Sequence, residues 1–425
     1  MKIAAVLVAV ALVAPVLLLS ADAGAQGPAA APKYPKLEWK NGAWADANFF
    51  PLSVWMQPPS RAKKYKECGI NIYMNLWKGP TEKQLAELAE AGMAVMVELN
   101  DVAYKHKDDP AIVGWQQVDE PDILHSNANG WPELVARKEW STTIGQYQPA
   151  YNPADIQAHY RLLKAIDPAR PVYVGLSLCV VYGDSGSRGN RKNHPEDFPE
   201  YMKGGDIVGY DIYPGLRQEP RAAAKYWTVA KGVMNLVKWG EGKKVIWPSI
   251  EFAAPYADHM PRTAKAEVWM AIVHGSMGIN YWVHQNSSGR KPIPSVEDSV
   301  FLDGNMTKVF VETNRLLTSL APVLNSPTVE GGATVASSVP ATQEVADAGI
   351  APIAIMVKKH AGATYVFSVR MEDTPAKGTF EVKGLPPKAT AEVIGENRKL
   401  DVAGGKFADD FQGMEVHIYR ITAGT

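Results

Sequence analysis

Two stretches of the sequence end in carboxylic acids that could take part in acid–base chemistry. The first, residues 112–122 (IVGWQQVDEPD), is an apolar, strand-like run that ends in Asp119 and Glu120 and is stopped by a proline, which has no N–H to extend a strand. The second, residues 244–252 (KVIWPSIEF), is a similar run with Glu251 near its end. Paired carboxyl groups cleave glycosidic bonds, one protonating the leaving oxygen and the other attacking carbon or activating water. The pattern therefore predicts Glu120 and Glu251 as a catalytic pair.

Each glutamate alone has a simpler explanation. Carboxylates at strand ends commonly form salt bridges with neighbouring loops and have no part in chemistry. The argument for catalysis depends on the two strands belonging to one sheet, because only then can both side chains reach the same pocket.

Strand and helix patterns alternate along most of the chain. Short apolar runs bounded by turn residues predict eight strands, over residues 49–57, 70–77, 93–100, 112–120, 171–178, 206–213, 244–252 and 278–285. Helical patterns lie between them, and in one of these Thr81 is a predicted N-cap and Gly92 a predicted stop. The alternation predicts an α/β fold, a (β/α)8 TIM barrel, with catalytic groups at the carboxyl ends of its strands. A doubly wound open sheet is the alternative, but no glycine-rich phosphate turn follows the first strand.

The pattern changes at about residue 326. Val, Thr, Ile and Phe then alternate between Gly and Pro turns, which predicts strands over 352–357, 363–369, 378–382, 391–394 and 414–421. We expect residues 41–325 to form the barrel and residues 326–425 to form a small antiparallel β-sandwich that supports the barrel by packing. A sugar-binding role for the sandwich is the alternative.

The N-terminus has the features of an export signal. A basic start precedes an apolar run over residues 3–19, and small residues at A-x-A spacing follow, with cleavage predicted after Ala23 or Ala25. Because the run is short for a bilayer span, a signal peptide over residues 1–25 is favoured over a membrane anchor. Residues 26–40 are predicted to be a lead-in segment. The protein is therefore expected to be secreted or periplasmic.

Charge and cysteine usage argue against several other classes of protein. The 425 residues include 44 basic and 45 acidic side chains, a net charge of −1, which offers no basic surface to nucleic acid or to an anionic membrane. We expect no nucleic-acid partner and, once the signal peptide is removed, no membrane. The two cysteines, Cys68 and Cys179, are predicted to be buried free thiols. Because no His, Cys and acid cluster has metal-site spacing, no metal or other cofactor is expected.

Two further motifs, GYDIYP around Tyr213 and NYWVHQ around Trp282, lie at the ends of the predicted sixth and eighth strands. With the two glutamates, they resemble the clan A retaining glycoside hydrolases, which are (β/α)8 barrels often followed by a small β-domain. The resemblance implies that Glu120 is the acid/base and Glu251 the nucleophile. It also implies that Tyr213 hydrogen-bonds the nucleophile and that Trp282 lies under the bound sugar. The expected activity is hydrolysis of O-glycosidic bonds in a plant or microbial poly- or oligosaccharide.

One position departs from the clan A pattern. That clan has an asparagine before the acid/base, where it holds the sugar 2-hydroxyl, whereas this sequence has Asp119, a like charge that tends to raise the pKa of the pair. An Asp–Glu pair also resembles hexosaminidases, in which aspartate orients the substrate's acetamido nucleophile and glutamate is the acid. Glu251 is then not the nucleophile. A third interpretation is a non-catalytic carbohydrate-binding barrel.

Further substrate-binding residues are predicted from strand alternation and aromatic content. Side chains two apart share one face of a strand, and sugar rings present C–H faces that stack on aromatic rings. The predicted substrate-binding residues, besides Asp119, Tyr213 and Trp282, are Asn75, Trp77, Glu98, Asn100, Asp211, Trp55 and His284. Core packing is the alternative for each tryptophan, and a buried structural pairing is the alternative for Glu98.

Overall fold

A computed structural model gives the architecture of most of the chain. It describes residues 42–123, 150–183, 188, 191–217, 225–253, 260–285 and 295–424. All of these belong to the larger of two compact units, Lys33–Thr425. The predicted signal peptide and lead-in, residues 1–25 and 26–40, lie outside the described residues, so both stay predictions.

The first part of the described chain forms a closed barrel of parallel strands. The strands are β1 (Leu52–Trp55), β2 (Ile72–Met74), β3 (Ala94–Val97), β4 (Ile112–Gln116), β5 (Val172–Leu176), β6 (Ile207–Tyr210), β7 (Val245–Ile246), β8 (Ser249–Glu251) and β9 (Ile279–Trp282). Neighbours pair in chain order from β1 to β7, and β9 pairs with both β8 and β1, which closes the sheet. The predicted α/β fold, a (β/α)8 barrel, is confirmed.

The seventh barrel strand consists of two pieces, β7 and β8. The prediction of one continuous strand over residues 244–252 is therefore wrong. Pro248 lies between the pieces and has no N–H to contribute to the ladder, which explains the break. Beyond the break, the isolated bridge between Asp211 and Ser249 keeps the two neighbouring strands together.

Helices connect the strands on the outside of the barrel. They are α1 (Ala62–Glu67), α2 (Glu82–Ala91), α3 (Asp101–Lys105), α4 (Pro153–Ile166), α5 (Asp197–Met202), α6 (Pro214–Arg217), α7 (Thr228–Trp239), α8 (Met260–Val273), α9 (Gly304–Ser319) and α10 (Ala321–Leu324). The predicted boundaries of α2 are confirmed: Thr81 and Gln84 form a capping box, and Gly92 ends the helix in the left-handed conformation that glycine favours. Among the described residues, no helix has both the length and the apolar character needed to cross a membrane.

The barrel interior combines apolar packing with a small polar layer. The hydroxyl of Ser53 lies 2.7 Å from Asn280 Oδ1, and the amide of Asn280 donates to Ser249 Oγ at 2.9 Å, so three strands are joined through side chains. Cys68 and Cys179 are both buried and free, which confirms the predicted thiols.

The second part of the chain is an antiparallel β-structure. Its strands are β10 (Ala333–Ser337), β11 (Ile353–His360), β12 (Ala363–Arg370), β13 (Ala376–Val382), β14 (Lys388–Val393), β15 (Arg398–Ala403), β16 (Lys406–Phe411) and β17 (Val416–Ala423), with a short helix, α11 (Gln343–Asp347). The strands pair in the order β10-β13-β16-β15-β14-β17-β12-β11 and surround their own apolar core. The predicted sandwich is confirmed. Sequence patterns missed β10, β15 and β16, where polar residues leave too few apolar positions to reveal a strand.

The barrel and the sandwich share an apolar interface through α8 and β12. All eight residues of β12 are buried: Val366 belongs to the sandwich core, whereas Phe367 stacks on Trp269 of α8 with ring centroids 5.7 Å apart. At the edge of this interface, Arg262 pairs with Asp373 at 2.8 Å. The sandwich therefore supports one of the helices that surround the barrel.

We predict that Trp269→Ala lowers the free energy of unfolding by about 3–5 kcal/mol, because it removes a fully buried ring from this interface. Urea unfolding followed by circular dichroism measures the change. The matched control is Trp77→Ala, which removes a ring that is 65% exposed and should change stability by less than about 0.5 kcal/mol. Equal losses in the two variants would contradict the assigned interface.

Candidate active site

Four acidic residues gather at the carboxyl end of the barrel. Glu98 follows β3, Asp119 and Glu120 follow β4, and Asp211 follows β6; all four are half-buried. Burial raises the pKa of Asp119 well above its usual value, and the charges of Asp211 and Glu98 raise it further. Because like charges this close disfavour one another's ionised forms, the group retains protons more readily than isolated carboxylates do. We call these four residues the acidic cluster.

The backbone at Glu120 is in an unusual conformation. The predicted strand over residues 112–120 is too long, since β4 ends at Gln116. The N–H of Glu120 still reaches the carbonyl of Gly175 at 3.0 Å, but its φ of +42° lies in the left-handed region, which a strand cannot contain. A glutamate held in that region costs free energy, and such strain is concentrated at functional sites.

A second left-handed residue, Asn75, supports the acidic cluster. Its φ is +60°, and its amide donates to Glu98 Oε1 at 2.9 Å. Burial raises the pKa of Glu98, and the hydrogen bond from Asn75 partly opposes this. Glu98 is therefore a half-buried acid that is hydrogen-bonded to Asn75, and both the substrate-binding role and the buried structural pairing stay predictions.

An aromatic wall, formed by Tyr213, Trp282 and His284, borders the acidic cluster. The rings of Tyr213 and Trp282 stack with centroids 5.3 Å apart, and His284 lies next along the wall, 4.7 Å from Trp282. The Tyr213 hydroxyl donates to Asp211 at 2.7 Å, and burial, followed by the charge of Asp211, raises the pKa of that hydroxyl. The Tyr213 hydroxyl therefore hydrogen-bonds Asp211, and the hydrogen bond to Glu251 that the clan A resemblance implies stays a prediction.

Glu251 lies in a different environment from the acidic cluster. It is 0% exposed, and its two oxygens accept hydrogen bonds from the backbone N–H groups of Gly215 at 2.5 Å and Leu216 at 2.8 Å, in α6. A Cβ atom at position 215 would lie 2.9 Å from Glu251 Oε1, so this close approach requires glycine. Two N–H donors stabilise the ionised form of a carboxylate.

The partner of Glu251 that sequence reasoning missed is Glu267, in the middle of α8. Glu267 is also 0% exposed, and its pKa is raised well above the usual value, first by burial and then by Glu251. Among the described residues, no N–H or hydroxyl group donates to either Glu267 oxygen. A contact between two carboxyl groups is a hydrogen bond only when one of them carries a proton. Because Glu251 has two N–H donors whereas the pKa of Glu267 is raised by burial and by Glu251, the protonated form is favoured at Glu267.

A signal for Glu267 was present in the sequence. It is the single acid in α8, and its neighbours along the chain are apolar. A lone charge in a helix that is buried on nearly every side needs a partner, because an unpaired buried carboxylate is costly.

Three predicted substrate-binding residues, Asn100, Trp55 and Trp77, belong neither to the acidic cluster nor to the aromatic wall. Asn100 caps α3 through its Oδ1, and its amide donates to the carbonyl of Pro80 at 2.9 Å. Trp55 is 8% exposed and packs in the barrel interior, which is the core-packing alternative. Trp77 is an exposed ring beyond β2. Within the described ranges, no group of three or more His, Cys, Asp or Glu residues is arranged to hold a metal ion.

We predict that Glu267→Gln removes part of the pH dependence of stability. The folded pKa of Glu267 lies above the usual value of 4.5, so above about pH 4.5 the unfolded chain releases a proton that the folded chain retains. Wild-type stability therefore falls as pH rises, by up to about 1.4 kcal/mol per pH unit until the folded pKa is passed. The glutamine variant lacks this loss and gains stability relative to wild type as pH rises above about 4.5.

Urea unfolding at several pH values tests this expectation. Glu267→Leu is the control: it also lacks the titration, but it cannot donate to Glu251 and should be less stable than Glu267→Gln at every pH. Parallel stability curves for wild type and Glu267→Gln would contradict the protonated pair.

Comparison with solved structures shows which proteins share this architecture. AmyP in complex with maltose has a TM-score of 0.52 and 9% identity, over 90% of this chain and 98% of that chain. MutB in complex with isomaltulose has a TM-score of 0.50 and 9% identity, and the match covers 88% of this chain and 99% of the MutB chain. Amy13B from Eubacterium rectale has a TM-score of 0.50 and 7% identity, and the match covers 92% of this chain and 98% of the Amy13B chain.

The fold, a (β/α)8 barrel followed by a β-domain, is one that this chain shares with AmyP, MutB and Amy13B. At identities this low the similarity concerns the fold, and the resemblance drawn from the sequence is confirmed at that level. No family model matches the sequence, and no curated protein matches it. The barrel places the acidic cluster and Glu251 at the carboxyl ends of its strands, where barrel enzymes have their active sites.

Proposed function

We propose that this protein hydrolyses O-glycosidic bonds of a poly- or oligosaccharide, with Glu120 as the general acid. The observation that carries the proposal is the position of the acidic cluster beside the stacked rings of Tyr213 and Trp282, at the open end of a barrel. Aromatic rings stack on the C–H faces of sugars, and carboxyl groups protonate the leaving oxygen. The carbohydrate ligands of the similar structures AmyP and MutB support the substrate class.

In the mechanism that we favour, cleavage retains the anomeric configuration. Glu120 donates its proton to the glycosidic oxygen as the bond to the anomeric carbon breaks, and Glu251 attacks that carbon to form a glycosyl-enzyme. Glu120, now ionised, removes a proton from water, which displaces Glu251. Burial and the charges of Asp211 and Glu98 raise the pKa of Asp119, the residue next to Glu120. The N–H groups of Gly215 and Leu216 favour the ionised nucleophile.

A substrate-assisted N-acetylhexosaminidase is the second candidate. The complete burial of Glu251 favours it, because a nucleophile must reach the anomeric carbon. In this mechanism the acetamido oxygen of the substrate attacks, Asp119 orients the acetamido group, and Glu120 remains the acid. Glu251 and Glu267 then have a structural role, holding α6 and α8 against the barrel.

We predict that Glu120→Gln lowers kcat/KM by about 10²–10⁴ on any glycoside that the wild type cleaves, because it removes the general acid. A panel of aryl glycosides and natural glycans supplies the substrates. The control is Glu90→Gln, an exposed position on α2, which should keep activity within about twofold. Unchanged hydrolysis in Glu120→Gln would contradict its assigned role. Binding of glycans without turnover by the wild type would favour the carbohydrate-binding barrel.

Two further variants separate the candidate mechanisms. Under the retaining mechanism with Glu251, Glu251→Gln abolishes turnover of aryl hexosides or pentosides, and Asp119→Asn has the smaller effect. Under the substrate-assisted mechanism, only aryl N-acetylhexosaminides are cleaved, and Asp119→Asn causes the larger loss. Circular dichroism checks that the Glu251 variant is folded, since that side chain is buried.

We further propose that the chain is exported, on the strength of residues 1–25. Mass spectrometry of the protein produced with its full N-terminus should give a mature chain that begins after Ala23 or Ala25. Recovery of the uncleaved chain in the cytoplasm would contradict export.

A further inference from the structure

A cavity lies beside the aromatic wall, and none of its lining residues is assigned a chemical step in the mechanism proposed above. Its volume is about 550 Å³, within the range of small-molecule sites. It lies between the loop that follows β1 and the segment that follows β9. The lining residues are Pro58, Ser60, Arg61, His284, Ser295, Val296, Glu297 and Asp298.

The charges around this cavity favour a neutral, hydroxyl-rich ligand. Arg61 Nε lies 3.2 Å from Asp298, with the arginine side chain 51% exposed, so a fixed donor and a fixed acceptor face the cavity together. Glu297 adds a second acid, which leaves the lining with more negative than positive charge and disfavours an anion. Paired donors and acceptors match adjacent hydroxyl groups, each of which both donates and accepts.

His284 connects the cavity to the aromatic wall. Its Nε2 lies 2.9 Å from the carbonyl oxygen of Trp55 and 3.1 Å from the amide nitrogen of Gln57. Because the shorter contact is to an oxygen that can only accept, we assign the ring hydrogen to Nε2. Burial lowers the pKa of His284 and keeps the ring neutral. Nδ1 therefore has a lone pair, and in the described part of the chain no group is bonded to it. The same ring contacts Trp282, so one residue borders both spaces.

We propose that this cavity is a subsite for neutral sugar residues of the substrate chain, next to the sugar that lies over Trp282. This rests on the proposed glycosidase function. Arg61, Asp298 and Ser60 bind hydroxyl groups of the sugar in the cavity, and His284 Nδ1 accepts a hydrogen bond from a hydroxyl at its entrance. The protein therefore acts on oligosaccharides or polysaccharides in preference to substrates with a single sugar.

Substrate length tests the subsite. For the glycan that the wild type cleaves, kcat/KM is measured on a series of oligosaccharides of increasing length and on the aryl glycoside of one sugar. Arg61→Ala should lower kcat/KM roughly tenfold on the longer substrates, as expected for loss of a hydrogen bond to a charged group, and less than twofold on the aryl glycoside. Ser60→Phe, which fills the cavity, should have the same selective effect.

The control is Lys63→Ala, which removes an exposed positive charge from the neighbouring helix and should affect neither substrate class. Equal losses on long and short substrates, or no loss on either, would overturn the subsite while leaving the proposed hydrolysis intact. If no glycan is cleaved, the proposed hydrolysis fails, and calorimetric titration with neutral oligosaccharides tests the cavity separately. The proposed subsite is overturned if the wild type does not bind the oligosaccharides. It is also overturned if the wild type and Arg61→Ala bind them with the same affinity.

Discussion

Carboxyl groups collected at the end of a barrel repel one another, and the arrangement of this site depends on how that repulsion is reduced. The chain reduces the repulsion in two ways. In the acidic cluster, half-buried Asp119 shares its surroundings with Glu98 and Asp211, and burial and mutual repulsion favour bound protons. Around Glu251, burial is complete, two N–H groups stabilise the carboxylate, and the pKa of the neighbouring Glu267 is raised. The first arrangement suits a group that gives up a proton, and the second suits a group that stays ionised.

The α8 helix connects the site to the C-terminal sandwich. Residues two apart on a helix point in nearly opposite directions, since each residue turns the chain by about 100°. Glu267 is thus directed to the barrel and Glu251, whereas Trp269 is directed to Phe367 of β12. Because α8 is buried along most of its length, its position is fixed by both neighbours together. The sandwich therefore contributes to the geometry around Glu251 without reaching the site itself.

Local interactions explain which parts of the fold could be predicted. The N-cap at Thr81 and the left-handed stop at Gly92 depend on residues a few positions apart, and the structure has both of them where the sequence indicates. The strand–helix rhythm of the barrel was predictable for a similar reason: both faces of each strand are buried, which makes each strand a short apolar run. The break at Pro248 could also have been predicted from proline's missing N–H.

The sequence by itself determined the architecture and placed acids at the ends of two barrel strands, because apolar periodicity and turn residues act over short distances. Only the tertiary structure decided what those acids contact. In the pairing of β3 with β4, Val113 is an extra residue opposite the junction of Val95 and Met96. The left-handed backbone of Glu120 occurs where its N–H bonds to the carbonyl of Gly175 in the neighbouring strand. The electrostatic interaction between Glu251 and Glu267 depends on packing a helix against a strand. Contacts between residues far apart in the chain exist only once the barrel has closed, so no local pattern records them.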